Sequence, residues 1–237
     1  SYVTRIVDHD FMEMGHRVRK PATLRRWMTA YAAATATTAS YETIRDAATS
    51  DRNEKPAKTA TLPYRDILER LWILDPVPAW QPTRAHLSEL SRPPKHHLVD
   101  PALAASLLGV GATALVEGRE AGPAVRRDGT LTGALFDSLV TQSVRVYAQS
   151  AEATVGHLRT QRGEHEVDLI VERGDQRVVA IEIKFAEVPT DDDVRHLLWL
   201  QRQIGSELLD AVVINTGRHA YRRPDGIAVV PAALLGP

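Results

Sequence analysis

The sequence predicts a mixed chain, α+β or α/β, in which a helical N-terminal region precedes a mixed sheet flanked by helices. Three observations carry this. Residues 23–38 and 59–74 place apolar side chains at helical spacing: Leu24, Trp27, Met28, Tyr31 and Ala34 in the first, and Leu62, Ile67, Leu68, Leu71, Trp72 and Ile73 in the second. Two runs rich in β-branched residues, Glu166 to Glu172 and Arg177 to Phe185, flank a Gly-Asp turn signal and read as a β-hairpin. Beyond them a helical stretch leads into an almost purely apolar run, Ala211 to Asn215. A strand, a crossover helix and a second strand imply parallel pairing with a right-handed connection.

At 237 residues the chain has ample sequence for buried cores and for two modest domains. With 25% charged residues and a formal net charge of -1, it lacks the overall basic excess of many nucleic-acid binders, which leaves local patches to decide that question. Cysteine is absent, so disulfides and thiolate metal sites are excluded, and a reducing cytoplasm is the expected setting. No apolar run is long enough to span a bilayer, and the start resembles no signal peptide, so no membrane partner is expected.

In chain order, residues 1–21 are mixed and polar and read as a lead-in. A helix follows from about Thr23, with Pro21 at its start, and a second from Ser40, which serves as its cap. Residues 49–58 are a polar break. The next apolar helix ends at Asp75-Pro-Val-Pro78, because proline continues neither a helix nor a central strand. Trp80 and the run Lys95 to Asp100 then fit a small two-stranded wing, so residues 1–110 outline a winged helix-turn-helix-like region. The mixed charge of Tyr64, Arg65, Glu69 and Arg70 suits packing or protein contact better than base readout. Residues 111–130, glycine-rich and charged, are the expected linker, and residues 131–237 the second domain. There, residues 132–149 form a helix, residues 154–159 a first strand, and Thr190 with three aspartates opens the crossover helix that Gly205 closes.

A three-residue hairpin loop, Gly174 to Gln176, makes each facing pair of residues sum to 350. That register sets Asp168 opposite Glu182 and Glu166 opposite Lys184. Val167, Leu169, Val171, Val179, Ile181, Ile183 and Phe185 share one apolar face. Facing carboxylates repel, and a divalent cation held by oxygen ligands would relieve them. Two plainer readings stay open. A half-exposed strand alternates polar and apolar residues without any site, and a two-residue loop would send Asp168 and Glu182 to opposite faces.

Asp168, thirteen intervening residues and then Glu182-Ile183-Lys184 resemble the signature of the PD-(D/E)XK nucleases, with a preceding helix that carries Asp137. Along most of the chain, Leu71 to Trp80, Pro94 to Ala104, Gly133 to Val140, Gly163 to Leu169 and Ala180 to Lys184 look like the uncharacterised domain that follows AAA+-type ATPase cores in many prokaryotic proteins, whose C-terminal half has the PD-(D/E)XK fold. The resemblance implies metal-dependent phosphodiester hydrolysis. Asp168, Glu182 and the Ile183 carbonyl would hold Mg2+ or Mn2+, Asp137 would complete that site or reach a second, and Lys184 would orient water or stabilise charge. Glu166 would tune or pair with Lys184, and Arg159 and Arg162 could contact phosphates. That family usually carries glutamate at the position of Asp137, whose shorter side chain keeps the charge with less reach.

No phosphate-cradling glycine loop is present, so no ATP site is expected in this chain; an ATPase domain is expected elsewhere in a longer protein. Nucleic acid, DNA in particular, is the implied substrate. The competing expectation is a catalytically inactive module that keeps the nuclease-like scaffold to bind nucleic acid or to regulate an ATPase. The nine histidines show no metal-ligand spacing; His96 and His97 are adjacent and would face opposite sides of a strand.

Overall fold

The computed structural model describes residues 2–49, 56–82, 93–117 and 129–236. Parts of the expected polar break and linker, residues 50–55 and 118–128, lie outside the described residues. The chain divides into two compact units: residues 1–76 with 95–138, and residues 77–94 with 139–237.

The first unit is helical. Helices α1 (Tyr2–Arg5) and α2 (Phe11–Glu13) are joined by a wide π-type turn, Ile6–Asp10. Ile6, Val7 and Phe11 are fully buried, so the expected lead-in is a core element. Val3 and Met14 pack against the same core, so the apolar residues of this stretch recur at helical spacing among charged neighbours. Helix α3 (Pro21–Ala33) starts at a proline and buries Leu24, Trp27, Met28 and Tyr31. Helix α4 (Tyr41–Ala47) is capped by Ser40, whose hydroxyl accepts the Thr43 amide at 3.0 Å.

Helix α5 (Lys58–Arg70) is shorter than its apolar run suggests. The chain leaves it through a left-handed residue, Trp72 (φ 56°), which turns that indole outward, 73% exposed, and sends Ile73 and Leu74 into the core. Helix α6 (Pro101–Leu108) has Asp100 as its cap and ends at Gly109; helix α7 (Ala112–Val116) occupies the start of the expected linker.

The expected wing does not form as one hairpin. Leu98 bridges Leu74 in the first unit, whereas the chain at Ala79 and Trp80 bonds to His157 in the second, with the Trp80 amide 2.7 Å from the His157 carbonyl. That crossing needs Gly156: a Cβ there would lie 3.0 Å from the Trp80 Cβ.

Helix α8 (Leu131–Ser150) crosses the division between the units. The second unit is built on a six-stranded sheet of β1 (Thr154–Arg159), β2 (Glu166–Glu172), β3 (Val178–Ile183), β4 (Leu208–Asn215), β5 (Tyr221–Arg222) and β6 (Ala228–Pro231), in the order β1-β2-β3-β4-β6-β5. Strands β1, β2 and β3 pair antiparallel, and β3, β4 and β6 pair parallel. Helix α9 (Asp191–Ile204) connects β3 to β4 and lays Val194, Leu197 and Leu200 against Ile170, Ala180 and Val213. On the other face Leu169, Ile181 and Ile183 are also buried, so the centre of the sheet is covered on both sides. Phe185, expected on that apolar face, is 55% exposed because the chain has left the sheet at Ile183.

Candidate functional site

The β2–β3 hairpin takes the register in which facing residues sum to 350, as in Leu169 with Ile181 and Ile170 with Ala180. At its open end one Asp168 oxygen accepts the Ile183 amide at 2.7 Å, which ties that carboxylate to the neighbouring strand. Glu182 is buried, 5% exposed, and its Oε1 lies 2.9 Å from the Lys184 ammonium. Asp193, on the first turn of α9, brings Oδ1 to 3.7 Å from the same ammonium. Burial disfavours the charge on Lys184, but the carboxylates of Glu182, Asp168 and Asp193 outweigh it and hold the pKa above the ordinary lysine value. Lys184 is therefore a cation at neutral pH and cannot act as a base.

The sequence of α9 places Asp193. Thr190 and Asp193 form a capping box, with Asp193 Oδ2 accepting from the Thr190 amide at 2.8 Å and from its hydroxyl at 2.7 Å. Partial burial raises the Asp193 pKa, and the Thr190 hydrogen bonds with the Lys184 charge overcome that and leave it depressed. The loop after Lys184 is pinned to the end of β4. The Lys184 amide donates to Ile214 O at 2.9 Å, Thr216 to Ala186 O at 3.0 Å, and the Asn215 amide group to Glu187 O at 2.6 Å. Gly217 permits this approach, since a Cβ there would sit 2.7 Å from Glu187 O.

Asp168, Glu182, Ile183 and Lys184 are thus brought together. Glu166 is half-buried and forms an ion pair with Arg159 across β1 and β2. Arg162 is exposed. Asp137 belongs to the first unit, where Lys95, itself 1% exposed, donates to it at 2.7 Å and His97 Nε2 lies 4.0 Å away. His96 is buried there, with Nδ1 3.2 Å from the Tyr31 hydroxyl and Nε2 2.7 Å from Ala39 O. Burial depresses the His96 pKa to about 4, against a smaller upward pull from the Ala39 carbonyl.

Asp193 was not signalled as a site residue, although its place in the first turn of the helix after Lys184 was visible. Two histidines also stand near the cluster: His165, just before β2, stacks on Trp199 of α9 at 4.1 Å, and its Nδ1 lies 3.3 Å from that of His196.

Two other features are ordinary by comparison. His9, Asp10 and Glu13 are the group of three potential metal ligands found among the described residues, and they sit on the surface as neighbours on one helical turn. A cavity of about 260 Å³ in the first unit is walled by Trp27, Tyr41 and Thr61 with Arg45 and Arg65, whose charges are paired with Glu42 and Asp66.

Residues 132–235 match the model of a domain of unknown function, DUF4143, and residues 1–114 match that of a second domain of unknown function, DUF8612. The first matched stretch ends within α7 and the second begins at the second residue of α8. Among solved structures, the chain is similar to one in an assembly of Thermococcus gammatolerans McrB AAA+ hexamers with bound McrC, at 12% identity, covering 95% of this chain and 72% of that one. The TM-score is 0.32, too slight a likeness to argue from. No curated protein matches the chain. Among the described residues no helix is long and apolar enough to cross a membrane.

Proposed function

We propose that the second unit is a PD-(D/E)XK-like, metal-dependent phosphodiesterase acting on nucleic acid, with DNA as the first candidate. On this reading the first unit is its helical companion, and the chain serves beside an AAA+-type ATPase, with which DUF4143 is often found. One observation carries the chemical part: Asp168 and Glu182, on adjacent strands, both act on the ammonium of Lys184.

The donor set suits the metal. Two carboxylates and a main-chain carbonyl are hard oxygen ligands, which match Mg2+ or Mn2+ and not a soft cation. Asp168, Glu182 and the Ile183 carbonyl would hold the ion; Asp137, engaged with Lys95, is left out of that set. When bound, such an ion polarises a phosphoryl oxygen and lowers the pKa of a water. The chain's own residues do the rest. The Ile183 amide keeps Asp168 in one orientation. Lys184, fixed between Glu182 and Asp193, presents a permanent positive charge that stabilises negative charge developing on a scissile phosphate.

A second reading has its own support. The 2.9 Å Lys184–Glu182 pair already gives the buried Glu182 carboxylate a cationic partner, as it would in a non-catalytic module that regulates an ATPase. Incubating the purified chain with linear and supercoiled duplex DNA, with Mg2+ or Mn2+ and an EDTA control, separates the two. Hydrolysis is expected to need the ion and to vanish in Lys184→Ala while metal binding survives. No cleavage with either ion favours the regulatory module.

A further inference from the structure

The His165–His196 pair carries a direction that hydrogen-bond logic fixes. Arg195 Nε lies 3.0 Å from His196 Nε2. A guanidinium can only donate, so His196 Nε2 accepts and its ring proton sits on Nδ1. That proton points to His165 Nδ1, 3.3 Å away, which must then accept. His165 is left with its proton on Nε2, as the outer end of a donor chain that runs from Arg195 through His196 to His165. The stacked indole of Trp199 holds the ring in place, with 10° between the planes. A metal bridging the two Nδ1 atoms is disfavoured: it would need lone pairs on both, while His196 already offers its Nε2 lone pair to Arg195.

The pair sits at the candidate site. His165 immediately precedes Glu166 at the end of β2 where Asp168 stands, and His196 is one turn beyond Asp193 on α9. Lys184 is close enough for its charge to act on His196. Burial first, and then Arg195, His165 and Lys184, keep the His196 pKa below its ordinary value, so the neutral form the chain requires is the stable one.

The geometry points to an anion subsite: His165 Nε2–H donates to a non-bridging phosphate oxygen of a nucleic-acid strand engaged at the Asp168–Glu182–Lys184 cluster, with His196 and Arg195 as positioning residues. This rests on the phosphodiesterase reading for its ligand, but not for the donor chain itself. It assigns His165 a role in holding the strand, separate from hydrolysis.

Two measurements on the full chain test it. Nitrogen-15 NMR of the imidazoles is expected to show His196 as the Nδ1–H tautomer and His165 as the Nε2–H tautomer. Arg195→Ala, at a 58% exposed side chain, is expected to release His196 to its commoner Nε2–H form and reverse both. His196 as Nε2–H in the wild type overturns the proposal. Anisotropy with a fluorescein-labelled 20-base-pair DNA, in Ca2+ to hold binding without cleavage, is expected to show about tenfold weaker binding for His165→Ala, the size of one lost hydrogen bond to a charged group. His165→Gln, which keeps a donor, is expected to recover part of that loss. DNA binding unchanged in His165→Ala overturns the subsite while leaving cleavage and its Lys184 dependence intact. Wild-type protein that neither binds nor cleaves DNA overturns the phosphodiesterase reading and the subsite's ligand together, and the tautomers still report on the donor chain.

Discussion

Each unit contains a lysine held against a carboxylate, and the two pairs are built differently. In the first, Lys95 and Asp137 meet at 2.7 Å with side-chain exposures of 2% and 13%. In the second, Lys184 keeps 32% of its side chain exposed while Glu182 keeps 7%, and Asp168 and Asp193 add their negative charge. A sealed pair of opposite charges has nothing further to attract, and its value lies in the cost of breaking it. A cluster with three carboxylates around one half-open ammonium carries surplus negative charge within reach of solvent, which is what a cation-binding centre requires. Asp137, which the sequence suggested as a metal ligand, is engaged with Lys95 in the first unit.

The largest effects should come from breaking either pair alone, and they should differ in kind. Lys184→Ala should cost about 10²–10³ in the rate of DNA cleavage, the size of one preorganised charge-stabilising group, and should lower urea stability less than Lys95→Ala does, because Lys184 keeps 32% of its side chain exposed where Lys95 keeps 2%. Lys95→Ala should strand the buried Asp137 carboxylate, lowering stability by about 3–5 kcal/mol in urea denaturation. A joint Lys95→Met and Asp137→Leu change should restore most of that loss. Equal effects of Lys95→Ala and Lys184→Ala on stability would erase the distinction.

A smaller effect separates the units by pH. His96 titrates near 4 in the folded chain and near 6.5 when unfolded, so its contribution is whole above pH 6.5. As pH falls the unfolded state takes up the proton first, and stability is lost down to pH 4, by about 3 kcal/mol in total. NMR titration of the His96 ring checks the first value; a midpoint near 6.5 would mean that the ring is not buried neutral. Smaller still is Thr190→Ala, which removes the cap of α9 and should cost about 1 kcal/mol by thermal denaturation. It should also loosen Asp193 from Lys184 and bring the Lys184 pKa closer to its ordinary value.

What the sequence disclosed follows from how local each determinant is. The hairpin register depends on a loop of three residues and on side-chain alternation, so the pairing of Leu169 with Ile181 was legible, and with it the placing of Asp168 beside β3. The cap of α9 is a four-residue pattern and was equally visible. Lys95 and Asp137 lie 42 positions apart and His165 and His196 lie 31 apart, and no local rule links them. The N-terminal core was missed although Val3, Ile6, Val7, Phe11 and Met14 recur at helical spacing, because the charged residues between them give the stretch a polar average. The wing failed because Trp80 found a partner in His157, far along the chain, instead of one in residues 95–100.

The central claim is that Asp168 and Glu182 hold one divalent cation. Calorimetric titration with Mn2+ at neutral pH tests it most directly, using Asp168→Asn and Glu182→Gln, which remove charge and keep hydrogen-bonding shape. One site in the wild type and in Lys184→Ala, lost in both amide variants, is the predicted result. Unchanged Mn2+ binding in those variants, or none in the wild type, would contradict the account.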